Sequence, residues 1–352
     1  MKKYISLSLL VLSLVIAGGG CLSSSSSTAT TGGVWQTKDY GQNWTQLASL
    51  PQASGVGSIA GVNVTAIEID PSDPTVYYLG TEGNGVFTSY DAGSTWQRPD
   101  ASELTTGTII DIEVHPSDVC TIYIAFPDTV LKTSDCMRSV YDIYEVDQSD
   151  EYVTTFDIDW YSPSNLWLGN EQGAVVKSAD SGATWSTVYR VNDDITDLEV
   201  SKADSRIVYV ATDRRGFYRS TDSGASWVEY EDDLKKQFKD SDEVYNFAQT
   251  EDGTSVLMNT EYGLLISVDM GETWEALSLI TEEGEVRIWD AAFAPHNASD
   301  IYYATSSTFY SSSTGGQSWV TEDLPSGRTP YIVRVNPEDM DRVWVGFRAL
   351  DN

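Results

Sequence analysis

The chain has 352 residues, of which 53 are Asp or Glu and 21 are Lys or Arg, so its formal net charge is −32. Without a basic stripe to release counterions, such a chain is not expected to bind nucleic acid or anionic lipid. The only histidines, His115 and His296, fall in separate predicted turns, so we expect neither a metal cluster nor a Ser-His-Asp arrangement, and we predict no cofactor.

The N-terminal residues have the pattern of an export signal. Lys2 and Lys3 precede an apolar run from Ile5 to Ala17 that is too short to span a bilayer, which predicts a signal peptide over residues 1–20. The small residues before Cys21 resemble a bacterial lipobox, so we predict a lipid on Cys21 and a Ser/Thr-rich tether over residues 21–32. The alternative is an ordinary secretory signal. Either signal predicts export, and the lipid would hold the protein at a bacterial membrane, facing the periplasm or the cell surface.

An eight-residue box recurs along the rest of the chain, with Ser or Thr first, Gly fifth and Trp eighth, and Asp third in most copies. Complete boxes begin at Thr37, Ser89, Ser178, Ser220, Ser267 and Ser312, and a degenerate one begins at Thr133. The ends of successive boxes lie 42 to 52 residues apart, which is the period of one four-stranded propeller blade. The spacing therefore predicts an all-β domain over residues 33–352, a seven-bladed β-propeller of antiparallel blades.

This box resembles the BNR or Asp-box repeat of sialidases, Vps10-type receptors, xyloglucanases and photosystem II assembly factors of the Ycf48 and Hcf136 type. In such a box the Asp carboxylate accepts hydrogen bonds from the turn, the Gly takes a positive φ and the Trp packs between blades. A structural role rather than a catalytic one is therefore expected for Asp39, Trp44, Asp91, Trp96, Asp180, Trp185, Asp222, Trp227, Asp269, Trp274 and Trp319.

Three strands are predicted before each box, and the second of them repeats a large apolar residue expected in the core. The two ends of the chain complement each other. The C-terminus supplies two strands, at Tyr331–Asn336 and Arg342–Phe347, whereas the N-terminus begins with a strand and box that lack them. Joining the two halves in one blade would close the ring and remove free sheet edges.

Cys120 and Cys136 are predicted to form a disulfide. Cys120 opens the second strand of the blade with the degenerate box and Cys136 lies in that box, and the two turns lie at the same end of a four-stranded meander. Export permits the bond. The alternative is a pair of free structural thiols.

The loops opposite the boxes, which join the second strand of each blade to the third, are the predicted binding face. Five of them carry a carboxylate and one carries the only adjacent arginine pair: the residues are Glu82, Asp128, Glu171, Asp213, Glu261, Arg214 and Arg215. An acidic ring of this kind would attract a cation or a basic peptide. The alternative is that Thr-acid-Gly sequences serve the turns themselves.

The resemblance to the Ycf48 and Hcf136 group implies a non-enzymatic lipoprotein, expected to be monomeric, that binds a protein partner or stabilises a membrane complex. The alternative is an exported propeller that binds or cleaves glycans, in which case it would be a glycoside hydrolase. The sequence lacks the Arg-Ile-Pro motif of sialidases, and xyloglucanases of this repeat type place their catalytic aspartates between two tandem propellers. We therefore predict no catalytic residue.

Overall fold

The computed structural model describes residues 32–146 and 151–350, which form seven antiparallel blades around a central channel. The predicted fold class is confirmed. From the channel outward the strands are Val64–Ile69, Tyr77–Thr81 and Gly85–Ser89 in blade 1; Asp111–Val114, Ile122–Ala125, Thr129–Thr133 and Tyr141–Glu145 in blade 2; Val153–Ile158, Leu166–Asn170, Ala174–Ser178 and Ser186–Arg190 in blade 3; Ile195–Val200, Val208–Thr212, Phe217–Ser220 and Val228–Glu229 in blade 4; Val244–Gln249, Val256–Thr260, Gly263–Ser267 and Glu275–Ala276 in blade 5; Asp290–Ala294, Asn297–Ala304, Thr308–Ser312 and Val320–Asp323 in blade 6; and Thr329–Val335, Val343–Arg348, Gly33–Thr37 and Thr45–Leu47 in blade 7.

Three elements lie outside the blades. They are a hairpin of Ser49–Gln52 and Gly55–Ser58, a 3-10 helix over Ser102–Thr105 and an α-helix over Glu231–Gln237. Among the described residues, no helix is long and apolar enough to cross a membrane. The predicted signal peptide, Cys21 and most of the tether lie outside the described residues.

Blade 1 differs from the predicted four-stranded form because its outermost strand is reduced to one bridge between Thr88 and Gln97. Pro99 follows two residues later. Since proline has no N–H to donate to a ladder, strand pairing stops here.

The two ends of the chain meet in blade 7, as predicted. Gly33–Thr37 pairs antiparallel with Val343–Arg348, with Val34 opposite Gly346 and Gln36 opposite Trp344. The N-terminal strand is thus the third strand of the blade that the C-terminal strands begin. This pairing closes the ring and covers the edge of Val343–Arg348 that the C-terminal strands alone would leave unpaired.

Each complete box forms the same tight turn, for which Ser178–Trp185 serves as the example. The Asp180 carboxylate accepts a hydrogen bond from the Thr184 amide at 2.8 Å and from its hydroxyl at 2.7 Å, and the Ser178 hydroxyl donates to it at 2.8 Å. These bonds, led by that from the Thr184 side chain, lower the pKa of Asp180. Gly182 has a φ of 91°, a conformation that glycine adopts without strain. The carboxylate is fully used within the turn.

The box tryptophans join neighbouring blades. The indole N–H of Trp96 donates to the carbonyl of Leu47 in the preceding blade at 3.0 Å, and Trp319 donates in the same way to Ser278 at 2.8 Å. The repeated large residues of the second strands lie in the core, as predicted; they are Tyr78, Tyr123, Trp167, Tyr209, Leu257, Tyr302 and Trp344, all at most 3% exposed.

Cys120 and Cys136 form a disulfide in the structure, with their Cα atoms 4.1 Å apart. The bond lies beside the degenerate box, where Met137 replaces the glycine at a φ of 60°. A cross-link over a sequence separation of 16 restricts the unfolded chain, so reduction should lower the free energy of unfolding by about 2–3 kcal/mol. Urea unfolding with and without reductant measures the change. Alkylation of both thiols in denatured, unreduced protein would contradict the bond.

Small residues in the second strands allow adjacent blades to approach closely. A Cβ atom at Gly169 would lie 2.5 Å from Cγ2 of Ile195 in the next blade and 2.9 Å from Cγ2 of Thr155. We therefore expect Gly169→Ala to destabilise the protein by about 1–3 kcal/mol through overpacking. Gly61→Ala is the matched control because no atom lies within 4 Å of its added Cβ. Equal melting temperatures for the two variants would disprove this packing.

Candidate functional site

The central channel encloses a cavity of about 1150 Å³, whose wall includes residues of the first strands of all seven blades. Successive side chains on a strand alternate between its two faces, so every second residue of a first strand faces the same side. Strand pairing therefore defines equivalent positions in all blades. We name them the mouth, upper and lower levels, counted from the loop face towards the boxes.

The upper level lies opposite the small residues of the second strands, and the lower level lies opposite the buried large residues. The mouth level is one residue before the upper level and comprises Thr65, Ile110, Thr154, Thr196, Tyr245, Trp289 and Tyr331. The upper level comprises Ala66, Asp111, Thr155, Asp197, Asn246, Asp290 and Ile332. The lower level, two residues further along each strand, comprises Glu68, Glu113, Asp157, Glu199, Ala248, Ala292 and Arg334.

Carboxylates of the upper level connect the blades. Asp197 accepts a hydrogen bond from the backbone N–H of Phe247 in the next blade at 2.7 Å, and Asp290 accepts one from Val333 at 2.7 Å. Each bond joins the first strands of two neighbouring blades. These carboxylates therefore hold the inner ring together.

The lower level is asymmetric. Four acidic residues, Glu68, Glu113, Asp157 and Glu199, occupy the consecutive blades 1 to 4, whereas blades 5 and 6 present only alanines. Arg334 completes the level in blade 7 and contacts Asp290 at 3.3 Å. The acidic side chains of blades 1 to 4 thus lie across the channel from a stretch of wall, in blades 5 and 6, that carries only small side chains at this level.

The channel holds its carboxyl groups in a partly desolvated state. Burial is the largest cause that raises the pKa of Glu68 and Asp111 to about 7 and that of Asp197 to about 8. Burial also raises the pKa of Glu113 well above its usual value, with further contributions from the charges of Glu68 and Asp157. Lys202, which lines the cavity, opposes the shifts of Glu68 and Glu113. At neutral pH the cluster therefore retains part of its protons.

The mouth level has an aromatic side and a hydroxyl side. Tyr245, Trp289 and Tyr331 form the aromatic side, and the Arg287 guanidinium lies over the rings of Tyr245 at 4.0 Å and Trp289 at 4.7 Å. In blade 1, beside Tyr331, and in blade 3, the buried hydroxyls of Thr65 and Thr154 have no hydrogen-bond partner among the described residues. The mouth level thus combines stacking surfaces with buried, unsatisfied hydroxyls.

The predicted loop residues are only partly brought together. Glu171 and Asp213 line the channel cavity, and Asp128 is exposed on its loop. Glu82 pairs with Arg348 at 3.3 Å, and Glu261 accepts a hydrogen bond from the hydroxyl of Tyr245. These two carboxylates already have partners within the fold.

The arginine pair is neutralised by its own surroundings. Arg214 contacts Asp193 and Asp213, each at 3.2 Å, and Arg215 lies 3.7 Å from Glu229 and 3.6 Å from Glu231. Exposed ion pairs of this kind contribute little to stability. Because each arginine faces carboxylates, the two arginines do not form a concentrated positive patch on the surface.

The channel carboxylates were missed by sequence reasoning, although a signal existed. Glu68, Glu113 and Glu199 each stand at the same place in the first strand, between two apolar residues and opposite a repeated aromatic residue. Aligning the repeats on that aromatic residue would have placed all of them on one level.

The described residues contain no group of three or more His, Cys, Asp or Glu side chains arranged to hold a metal ion. His115 accepts a hydrogen bond from the amide of Ser117 at 3.2 Å, and His296 contacts Glu251 at 2.9 Å. His115 thus acts within its own turn, whereas His296 contacts the corresponding turn of the preceding blade.

Seven closed blades with Asp-box turns define the class of the protein, a seven-bladed β-propeller. No protein-family model and no curated protein sequence matches the chain. Among solved structures, it is similar to the GH74 xyloglucanase of Xanthomonas campestris, with a TM-score of 0.65 and 15% identity over 82% of this chain and 51% of that one. The GH74 enzyme of Niastella koreensis gives a TM-score of 0.67 and 16% identity, over 91% and 53% of the two chains. The chain thus spans about half the length of these enzymes.

The chain is also similar to a structure of YCF48 bound to a D1 peptide. The TM-score is 0.62 and the identity is 15%, over 83% of this chain and 94% of that one. At these identities the likeness establishes the fold. The structural neighbours include both the Ycf48 and the xyloglucanase propellers that the Asp boxes resemble.

Proposed function

We propose that this protein is an exported, membrane-tethered propeller that binds a protein partner at its loop face without catalysing a reaction. The observation that carries the proposal is the channel mouth, where the aromatic side formed by Tyr245, Trp289 and Tyr331 opens on a cavity of about 1150 Å³. Aromatic side chains supply much of the binding energy at protein interfaces. A propeller of matching length, YCF48, has been solved with a bound peptide.

The partners of four acidic residues, two on the loop face and two in the channel, favour a structural rather than a catalytic role for these four. Glycoside hydrolysis requires two carboxyl groups that face the substrate, one of them free to donate a proton. On the loop face, Glu82 and Glu261 are engaged by Arg348 and Tyr245. In the channel, Asp197 and Asp290 accept hydrogen bonds from the backbone of the next blade.

A second candidate function is glycan binding. The half-exposed aromatic residue Tyr331 and the neighbouring Trp289 offer flat surfaces of the kind on which sugars stack, and the fold is similar to that of GH74 enzymes. The two functions differ in the ligand that the channel mouth binds, which is a protein in the first case and a glycan in the second.

Capture experiments distinguish the two functions. The full-length tethered protein should recover a specific protein partner from native membranes, and the double substitution Trp289→Ala/Tyr331→Ala should abolish the capture. The exposed residue Val56, on the hairpin outside the blades, provides the matched control as Val56→Ala. Retention on xyloglucan without recovery of any protein would replace the first function with the second.

The predicted export and lipid anchor are tested separately. Membrane fractionation of cells that express the full chain should place it in the membrane fraction, and Cys21→Ser should release it to the soluble exported fraction. Retention of the unmodified chain in the cytoplasm would refute this part of the proposal.

A further inference from the structure

We propose that Arg348 is a positioning residue of the channel mouth, where it fixes the ring of Tyr331 for contact with a bound partner. Glu82 holds the Arg348 guanidinium in place from the neighbouring blade. The consequence for binding rests on the proposed function, whereas the positioning of the ring does not need any partner.

Tyr331 stands in a β-bulge of the first strand of blade 7. Pro330 pairs with Phe347 and Ile332 pairs with Gly346, so Tyr331 has no residue of its own opposite it in the ladder. A bulge leaves the extra residue unpaired and re-aims its side chain. The Tyr331 side chain is also 36% exposed at the mouth. Strand pairing alone therefore does not fix the orientation of this ring.

The Arg348 guanidinium supplies a constraint on the ring. Its central carbon lies 4.9 Å from the centre of the Tyr331 ring, within the range in which a cation is attracted to an aromatic face. The other two rings of the aromatic side are covered in the same way, because Arg287 lies over both Tyr245 and Trp289. Each of the three mouth rings thus has an arginine over it.

A polar network of blade 1 holds Arg348 in turn. Its Nε atom lies 3.3 Å from Oε2 of Glu82, and its Nη2 atom lies 3.3 Å from Oε1. The side-chain amide of Asn63 donates to the same carboxylate at 2.9 Å, and Arg328 donates to Oδ1 of Asn63 at 2.8 Å. Two contacts to one carboxylate fix the plane of a guanidinium, which a single contact does not do.

These contacts join the mouth to the closure of the ring. Glu82 and Asn63 belong to blade 1, whereas Arg348 and Tyr331 belong to blade 7. The backbone N–H of Ala349, just beyond the last strand, also donates to Asn63 at 2.9 Å. The orientation of a mouth residue is therefore set across the junction between the first and the last blade. Glu82 acts on the mouth through Arg348 rather than by contact with a ligand.

Fluorine NMR of the full-length chain, with a fluorotyrosine at position 331, tests the positioning. Glu82→Gln removes the carboxylate that holds the guanidinium. Arg348→Lys keeps a positive charge beside Glu82 but has no flat group to lie over the ring. In both variants we expect the resonance to shift towards that of free fluorotyrosine and to narrow, because the ring gains freedom. A role of Arg348 as a charge alone would leave the lysine variant unchanged, which would overturn the inference.

Two controls separate the mouth from the rest of the fold. Glu272→Gln removes a carboxylate that contacts Arg219 at 4.0 Å in blade 5, and it should leave the resonance at position 331 unchanged. A fluorotyrosine at position 161, an exposed tyrosine in a turn of blade 3, should keep its resonance in all variants. Melting temperatures should stay within about 3 °C of the unmodified chain, because partly exposed ion pairs contribute little to stability.

Capture from native membranes measures the consequence for binding. Glu82→Gln and Arg348→Lys should each recover about two- to fivefold less partner than the unmodified chain, whereas Glu272→Gln should recover as much. Undiminished capture by variants whose resonance has moved would overturn the inference. If the unmodified chain captures no protein, the proposed function fails, and the fluorine resonance still decides whether Arg348 positions Tyr331.

Discussion

The protein is expected to unfold at a lower temperature at pH 8.5 than at pH 5.5, whereas exposed ion pairs of Asp or Glu with Lys or Arg stay ionised over this range and would change stability little. Burial raises the pKa of Glu68 and Asp111 to about 7 and that of Asp197 to about 8. In the unfolded chain the same groups titrate near pH 4. Between about pH 4 and pH 8 the folded state therefore binds more protons, and the free energy of unfolding falls as the pH rises through this window.

The magnitude follows from several groups acting together. One pKa unit corresponds to about 1.4 kcal/mol, but water in the channel screens part of the effect. We expect a net loss of at least about 2 kcal/mol between pH 5.5 and pH 8.5 at constant ionic strength. Box carboxylates such as Asp135, whose pKa is lowered to about 2 by bonds from Ser139, act oppositely and lose their contribution only as the pH falls from about 4 to 2. Maximum stability should therefore lie near pH 4, where these two windows meet.

Urea unfolding at the two pH values, with two variants, locates the effect in the channel. Glu113→Gln removes one of the groups whose pKa is raised and should reduce the difference between the two values. Glu103→Gln, on the exposed 3-10 helix, should leave it intact. Equal stability at both pH values in the unmodified protein would show that the channel carboxyls ionise freely.

Val34→Asp is expected to abolish stable folding. Val34 is 1% exposed and belongs to the N-terminal strand that closes the ring opposite Gly346. The substitution places an unpaired carboxylate in the core of blade 7 and removes a packed side chain, which together should cost more than about 4 kcal/mol. That is a large share of the usual stability of a domain.

The matched control is the same substitution at an exposed valine. Val56, on the hairpin outside the blades, is 77% exposed, so Val56→Asp should change the free energy of unfolding by less than about 0.5 kcal/mol. Circular dichroism during urea titration compares the two variants. A cooperative transition of Val34→Asp at the midpoint of the unmodified chain would mean that blade 7 does not need the N-terminal strand.

The fold was predictable because its signals are local and repeated. The box spacing predicts the number of blades. The closure of the ring follows from the strand before Trp44, which lacks two preceding strands, and from the two C-terminal strands, which lack two following ones. The shortened outer strand of blade 1 was not foreseen. Pro99 is visible in the sequence, but its effect on the outer strand depends on where the pairing with the strand of Thr88 ends, which the sequence does not give.

The channel was harder to predict for a physical reason. A first strand packs against both neighbouring blades and borders the channel along its unpaired edge, so the usual alternation of apolar and polar residues is blurred. Glu68 therefore looked like a single polar residue between two isoleucines. The pairing of Glu82 with Arg348 joins residues 266 positions apart, a distance that no local pattern reveals.

If Cys21 carries the predicted lipid, the closing strand would set the orientation of the molecule at the membrane. Gly33 begins that strand at the loop face, where its amide donates to the carbonyl of Val62 just before blade 1. The described chain therefore begins on the same side as the channel mouth. An extended chain from Cys21 to Gly33 reaches about 40 Å at most. A lipid on Cys21 would orient the propeller with its channel mouth towards the bilayer and its Asp-box turns away from it. The mouth would then lie within reach of the exposed loops of membrane proteins.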